Sequence, residues 1–175
     1  MCCEDTEAYY TLKESGNIIH VFLSKALEDP HHYEDLLWML HTAEAHQEVV
    51  FHLNCCGGRV DTGVQIVNAI ENCAAKTSAI VESEACSMAT YIFLAVDERY
   101  IQDNCLMMFH NIVTGYDYAK LGQIKSDIDM TSRRRNSLSD KYYKGFLTDG
   151  EIKSISNDVD IWLDTKQIRK RLKTK

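Results

Sequence analysis

Ser87 stands in a run of small and apolar residues, Ala85-Cys86-Ser87-Met88-Ala89, directly after a stretch that reads as a strand. A serine at a strand-to-helix turn exposes its hydroxyl, and the first N–H groups of the next helix, Met88's among them, point at whatever binds there. Upstream, Gly57-Gly58 follows another apolar stretch and permits close backbone approach, which makes the Gly58 N–H a candidate second donor. Downstream, His110 ends Met107-Met108-Phe109-His110, and Asp160 opens Asp160-Ile161-Trp162-Leu163-Asp164-Thr165. These are the groups acyl transfer demands: a nucleophile, a base, a carboxylate to orient the base, and two N–H donors for an oxyanion. Each also has a bland reading. Taken alone, Ser87 is a helix N-cap, Gly57-Gly58 a tight turn, and His110 a satisfied core histidine. Asp158, Asp160 and Asp164 are three acids of which any can be a solvated charge or a cap. The serine turn also departs from the G-x-S-x-G elbow. Cys55 and Cys86 nearby leave a cysteine nucleophile open.

The elements that must position these residues alternate between strands and helices. Asn17–Ser24, Glu48–Asn54 and Thr77–Glu82 read as buried strands, followed by short ones at Arg99–Gln102 and Cys105–His110. Between them, Leu36, Leu37, Leu40 and Ala43 mark a helix within Tyr33–His46, and Val60, Val64, Val67 and Ile70 mark a second. Met88–Ala95 is apolar enough to be a buried helix. Strand–helix–strand order repeated three times predicts an α/β fold with a largely parallel sheet, whose sites form at the carboxyl ends of the strands. From Tyr118 to Phe146 a narrow apolar seam (Leu121, Ile124, Ile128, Thr131, Leu138, Tyr142, Phe146) runs through a charged background. That pattern predicts a projecting helix that packs on a partner subunit. Thr148 to Glu151 has the form of a capping box, and Asp164 and Thr165 can cap a short helix through Arg171. Residues 1–16 read as a polar terminal segment, and 17–175 as one domain.

Composition narrows the function classes. The 175 residues carry 19 basic and 26 acidic side chains, a net charge of -7, which argues against nucleic acid as the main partner. Arg133-Arg134-Arg135 and the basic tail Arg169–Lys175 are short runs of the kind that face solvent or an acidic partner. The seven cysteines (Cys2, Cys3, Cys55, Cys56, Cys73, Cys86, Cys105) include two adjacent pairs and no C-x-x-C. No disulfide framework or zinc site is expected, and free thiols suit a reducing cytoplasm. No leader pattern, membrane-spanning run or phosphate-binding loop is legible, so any ATP use belongs to another chain.

Four segments in order carry a resemblance: Asn54-Cys55-Cys56-Gly57-Gly58, Ala85 to Ala89, Met107 to His110, and Asp160 to Thr165. Together they resemble the proteolytic subunit of the Clp protease over about Ile18 to Ile168, including the order Ser, His, Asp along the chain. The resemblance implies a crotonase-like α/β core of repeated β-α units with a projecting handle helix, matched by about 118–146. It implies a serine endopeptidase with Ser87 as nucleophile, His110 as general base and then acid, and Asp160 as the orienting carboxylate. Gly58 and Met88 are the implied oxyanion donors, and no metal or cofactor is implied. Substrates would be peptides or unfolded proteins, handled inside homo-oligomeric rings that an ATP-dependent unfoldase can serve, with no membrane partner.

Departures bear on particular parts. Cys55-Cys56 replaces Ser-Pro, Asn111-Ile112 replaces the Gln-Pro after the histidine, and Gly115 is the one glycine kept in the segment that would hold the substrate strand. The terminus before Asn17 differs from the family's axial loop, and a basic tail stands where the last family strand is expected. A shortened chain of this kind resembles peptidases encoded by bacteriophages, some of them active in capsid maturation, which would work in the host cell cytoplasm. Two further classes stay open on sequence: a crotonase-type acyl-CoA enzyme, and a non-catalytic ring or scaffold subunit.

Overall fold

A computed structural model of the chain describes residues 8–115 and 118–173. Residues 1–7, with Cys2 and Cys3, lie outside it, as do the last two residues of the basic tail.

Alternating burial builds the centre of the sheet. In β1 (Thr11–Ser15), β2 (Ile18–Leu23) and β3 (Glu48–Cys55), every second residue of the last two faces inward, and Val21, Val49, Phe51, Leu53 and Cys55 are wholly buried. The strand β4 (Lys76–Cys86) follows, then β5 (Glu98–Ile101), β6 (Leu106–Phe109) and β7 (Ile161–Asp164). The order is β1-β2-β3-β4-β6-β7, with β5 also on β4. Pairing is parallel from β2 through β6 and antiparallel at both edges, where β1 joins β2 and β7 joins β6. The sheet therefore begins before Asn17: Thr11–Ser15 forms its edge strand, inside the segment that reads as a polar terminus. Its residues are mostly exposed, which is why no apolar alternation marks it.

One irregularity organises the site. Leu53 pairs with Val81 but Cys55 pairs with Ala85, so β4 spends two more residues than β3 over the same span. This bulge divides β4 into two halves. The first half, Ser78 to Val81, pairs with β5, and the second, Glu84 to Cys86, pairs with β6.

Three helices cover one face. A 3-10 turn at Pro30–Tyr33, capped by Asp29, leads into α1 (Glu34–Thr42). In α2 (Val60–Glu71) Ile66, Val67, Ala69 and Ile70 are buried, and α3 (Met88–Ala95) is buried from Met88 through Leu94, hence its apolar character all round. The projecting helix α4 (Leu121–Leu138) has no buried residue and is shorter than the seam predicts. Its last two seam residues belong to the body instead. A π turn at Ser139–Tyr143 drops Tyr142 and Tyr143 into the core, and Phe146 follows them. The Tyr143 ring stacks on Tyr91 at 4.4 Å, its hydroxyl is 2.9 Å from Thr90 Oγ1, and Tyr142 donates to Glu71 at 2.6 Å. Helices α5 (Asp149–Ser156) and α6 (Thr165–Leu172) both start with reciprocal capping boxes, Thr148 with Glu151 and Asp164 with Gln167. Most of the basic tail thus lies in α6. No helix among the described residues is long and apolar enough to cross a membrane. The whole is a mixed α/β fold of repeated β-α units.

Candidate active site

The parallel strands β3, β4 and β6 end on one edge, and each hands over a residue singled out from sequence: Gly58 after β3, Ser87 after β4, His110 after β6. They line one pocket of about 370 Å³ with Met88, Cys56, Tyr91, Met108 and Asn111 to Val113.

Ser87 is held in an unusual backbone state, φ 53 and ψ -123, which costs a non-glycine residue on the order of 1–3 kcal/mol. Its N–H donates to Met108 O at 2.8 Å, and its carbonyl accepts from the Thr90 N–H at 3.0 Å and the Thr90 hydroxyl at 2.6 Å. The backbone is thereby fixed on both sides. Ser87 sits at the N-cap position of α3 but makes no capping hydrogen bond with its side chain, so the bland reading of this serine does not hold.

Both glycines are required where they stand. At Gly57 (φ 98) a Cβ would lie 2.6 Å from Ser87 Cβ, and at Gly58 (φ 135) one would collide with the Leu27 backbone carbonyl. Leu27 N–H donates to Gly57 O at 2.6 Å and Arg59 N–H donates to Leu27 O at 2.8 Å. These bonds flank Gly58, so its own N–H turns to the opposite edge, where it borders the Ser87 pocket.

His110 is half-buried. The β6–β7 ladder ends at Phe109 and Ile161, and His110 and Asp160 are the residues that directly adjoin this last pair. The other two acids are committed elsewhere. Asp158 accepts from Asn111 Nδ2 at 2.6 Å, and Asp164 accepts from the Gln167 N–H at 2.8 Å as the cap of α6. Asp160 is exposed. Among the described residues no hydrogen bond joins Ser87 to His110 or His110 to Asp160, so the three are brought to one edge without being linked.

Sequence reasoning missed Asn111 as a junction. Its side chain donates to Asp158, while its Oδ1 accepts from the Ile112 N–H at 2.9 Å and from Arg135 of α4 at 3.3 Å. The replacement of Gln-Pro after His110 was the only sequence signal for it. The thiols Cys55 and Cys86 are poor nucleophiles, since burial pushes each up to about 11 and keeps it protonated near neutrality.

Among known families, the one described as Clp protease matches residues 5–170. With the repeated β-α core and a serine at a constrained strand-to-helix turn, this match over nearly the whole length establishes that the chain belongs to the Clp protease family, membership that implies a serine peptidase.

Proposed function

We propose that the protein is a serine endopeptidase in which Ser87 attacks the scissile carbonyl, His110 takes the serine proton and returns it to the leaving amine, and Asp160 orients the imidazole. The observation that carries this reading is the Ser87 backbone at φ 53, which leaves its hydroxyl uncapped beside a pocket shared with His110, Gly58 and Met88. A tetrahedral oxyanion formed there meets two N–H groups with no other acceptor among the described residues, those of Gly58 and Met88. Donors of this kind are worth about 10²–10³ in rate each. The place of His110 and Asp160 directly beside the last β6–β7 pair supports the acid assignment, and the other engagements of Asp158 and Asp164 support it by exclusion. Substrate binding or assembly draws the three side chains into hydrogen-bond range, since catalytic bonds are often long in the unliganded state.

The exposed length of α4 supports a ring-shaped homo-oligomer in which this helix packs against a partner subunit and unfolded protein is cut inside. An ATP-driven unfoldase and a cytoplasmic setting belong to the same reading. The test is labelling by a fluorophosphonate together with peptide hydrolysis. Ser87→Ala is expected to abolish labelling and lower hydrolysis by on the order of 10⁴–10⁶. Hydrolysis undiminished in that variant would overturn the reading.

A further inference from the structure

Two thiols flank the Ser87 turn and are unused by the proposed chemistry. Cys56 is exposed and lines the Ser87 pocket, while Cys86 is 3 % exposed and directly precedes Ser87. Strand register fixes their relation. Cys55 pairs with Ala85, and two residues on Gly57 packs against Ser87 so closely that a Cβ there would stand 2.6 Å from Ser87 Cβ. Continued one residue past the Cys55–Ala85 pair, the register brings Cys56 alongside Cys86.

The faces agree as well. Val49, Phe51, Leu53 and Cys55 point into the core, as Ala85 does, so the alternate residues Cys56 and Cys86 share the opposite face. Cys55 is turned away and anchored, with its Sγ 3.0 Å from Lys25 O and 3.4 Å from the Gly57 N–H. Neighbouring strands lie about 4.8 Å apart, inside the Cα range of about 4.4–6.8 Å that a disulfide spans.

Building on the assignment of Ser87 as nucleophile, we propose that Cys56 and Cys86 form a peroxide-sensitive dithiol that closes to a disulfide and shuts the active site. The exposed Cys56 sulfur attacks the peroxide. An S–O bond forms, the O–O bond breaks, and the departing hydroxide takes a proton to leave as water. The Cys86 sulfur then attacks Cys56, the S–S bond forms as the S–O bond breaks, and a second water leaves. Two thiols and one hydrogen peroxide become one disulfide and two waters, the thiols oxidised and the peroxide reduced. Burial holds Cys86 up to about 11 and keeps it mostly protonated near neutrality, so the second step is slow there and closure becomes faster as pH rises toward that value. Both ends of the new bond adjoin the oxyanion donors, Cys56 through Gly57-Gly58 and Cys86 through Ser87-Met88. Drawing them together shifts both turns.

The full-length protein treated with hydrogen peroxide, then alkylated, tests this by intact mass, peptide mapping and hydrolysis. The expected result is loss of two hydrogen masses, a linked peptide joining Cys56 to Cys86, and a fall in hydrolysis of about 10²-fold, the size of losing one oxyanion donor. Reduction with dithiothreitol restores the rate. Cys86→Ser, compared with its own untreated rate, stops at a sulfenic acid on Cys56 that dimedone traps. A bond mapping to Cys55–Cys56 or to another pair overturns the proposal, as does a linked Cys56–Cys86 protein with unchanged hydrolysis. The map on the unsubstituted protein needs no variant to fold. Failure of the nucleophile assignment is separable: there the disulfide still forms, while Ser87→Ala retains hydrolysis.

Discussion

At the scale of single residues, the constrained backbone of Ser87 is the informative feature, because folding supports a strained conformation there instead of relaxing it. Thr90, Met108 and the absence of a side chain on Gly57 keep it in place. The three candidate acids are separable by experiment at this scale. Asp160→Asn should lower kcat by about 10⁴, the cost of a misoriented imidazole, with thermal stability retained. Asp164→Ala should instead remove the cap of α6, costing about 1 kcal/mol and lowering Tm by roughly 2–4 °C while hydrolysis per folded molecule persists. Thermal melts beside steady-state kinetics for both variants distinguish the roles, and the reverse pattern would move the acid to Asp164.

At the scale of elements, α5 and α6 are tied to each other by Glu151 and Arg171, which meet at 2.7 Å and 2.9 Å in a paired arrangement. Arg171 beside it, with the Thr148 N–H and hydroxyl, holds the Glu151 carboxyl down at about 2, against an ordinary value of 4.5. A depressed carboxylate adds stability that is present above its unfolded value and lost as pH falls through its folded one. Stability should therefore decline between about pH 4.5 and pH 2 on this account. Glu151→Gln should flatten that part of the profile and lower stability near pH 7 by about 1 kcal/mol, the partly exposed pair being screened by solvent. Denaturant melts at a series of pH values check both signs. An unchanged slope in Glu151→Gln would assign the acid sensitivity elsewhere.

At the scale of the whole molecule, α4 projects from a body that holds its far end through the π turn, through the tyrosines on Thr90, Tyr91 and Glu71, and through Arg135 on Asn111. Leu121, Ile128 and Met130 are exposed along it. A helix with such a seam and no buried residue gains little from its own chain, and the proposed ring would set a second copy against its apolar side. Ile128→Glu should leave the melting temperature of the fold within about 2 °C, as surface changes do, yet reduce the sedimenting mass. Unchanged mass in analytical ultracentrifugation would remove α4 from the interface.

The sequence by itself determined the alternation of strands and helices, because burying one face of each element imposes a period that can be read directly. It also marked the Gly57-Gly58 turn and the small-residue turn around Ser87, since turns after strands select small residues and glycines. It could not reveal β1, whose exposed edge carries no apolar alternation, nor end the projecting helix correctly, because Tyr142 and Phe146 continue its spacing while the π turn diverts them inward. What sets Asp158 and Asp164 apart from Asp160, the bond to Asn111 and the cap of α6, came only from the fold, as did the bulge in β4 that resets pairing after Leu53. Local pattern follows from side-chain chemistry within a few residues. Which distant residues meet is decided by strand register, and only the folded sheet sets that.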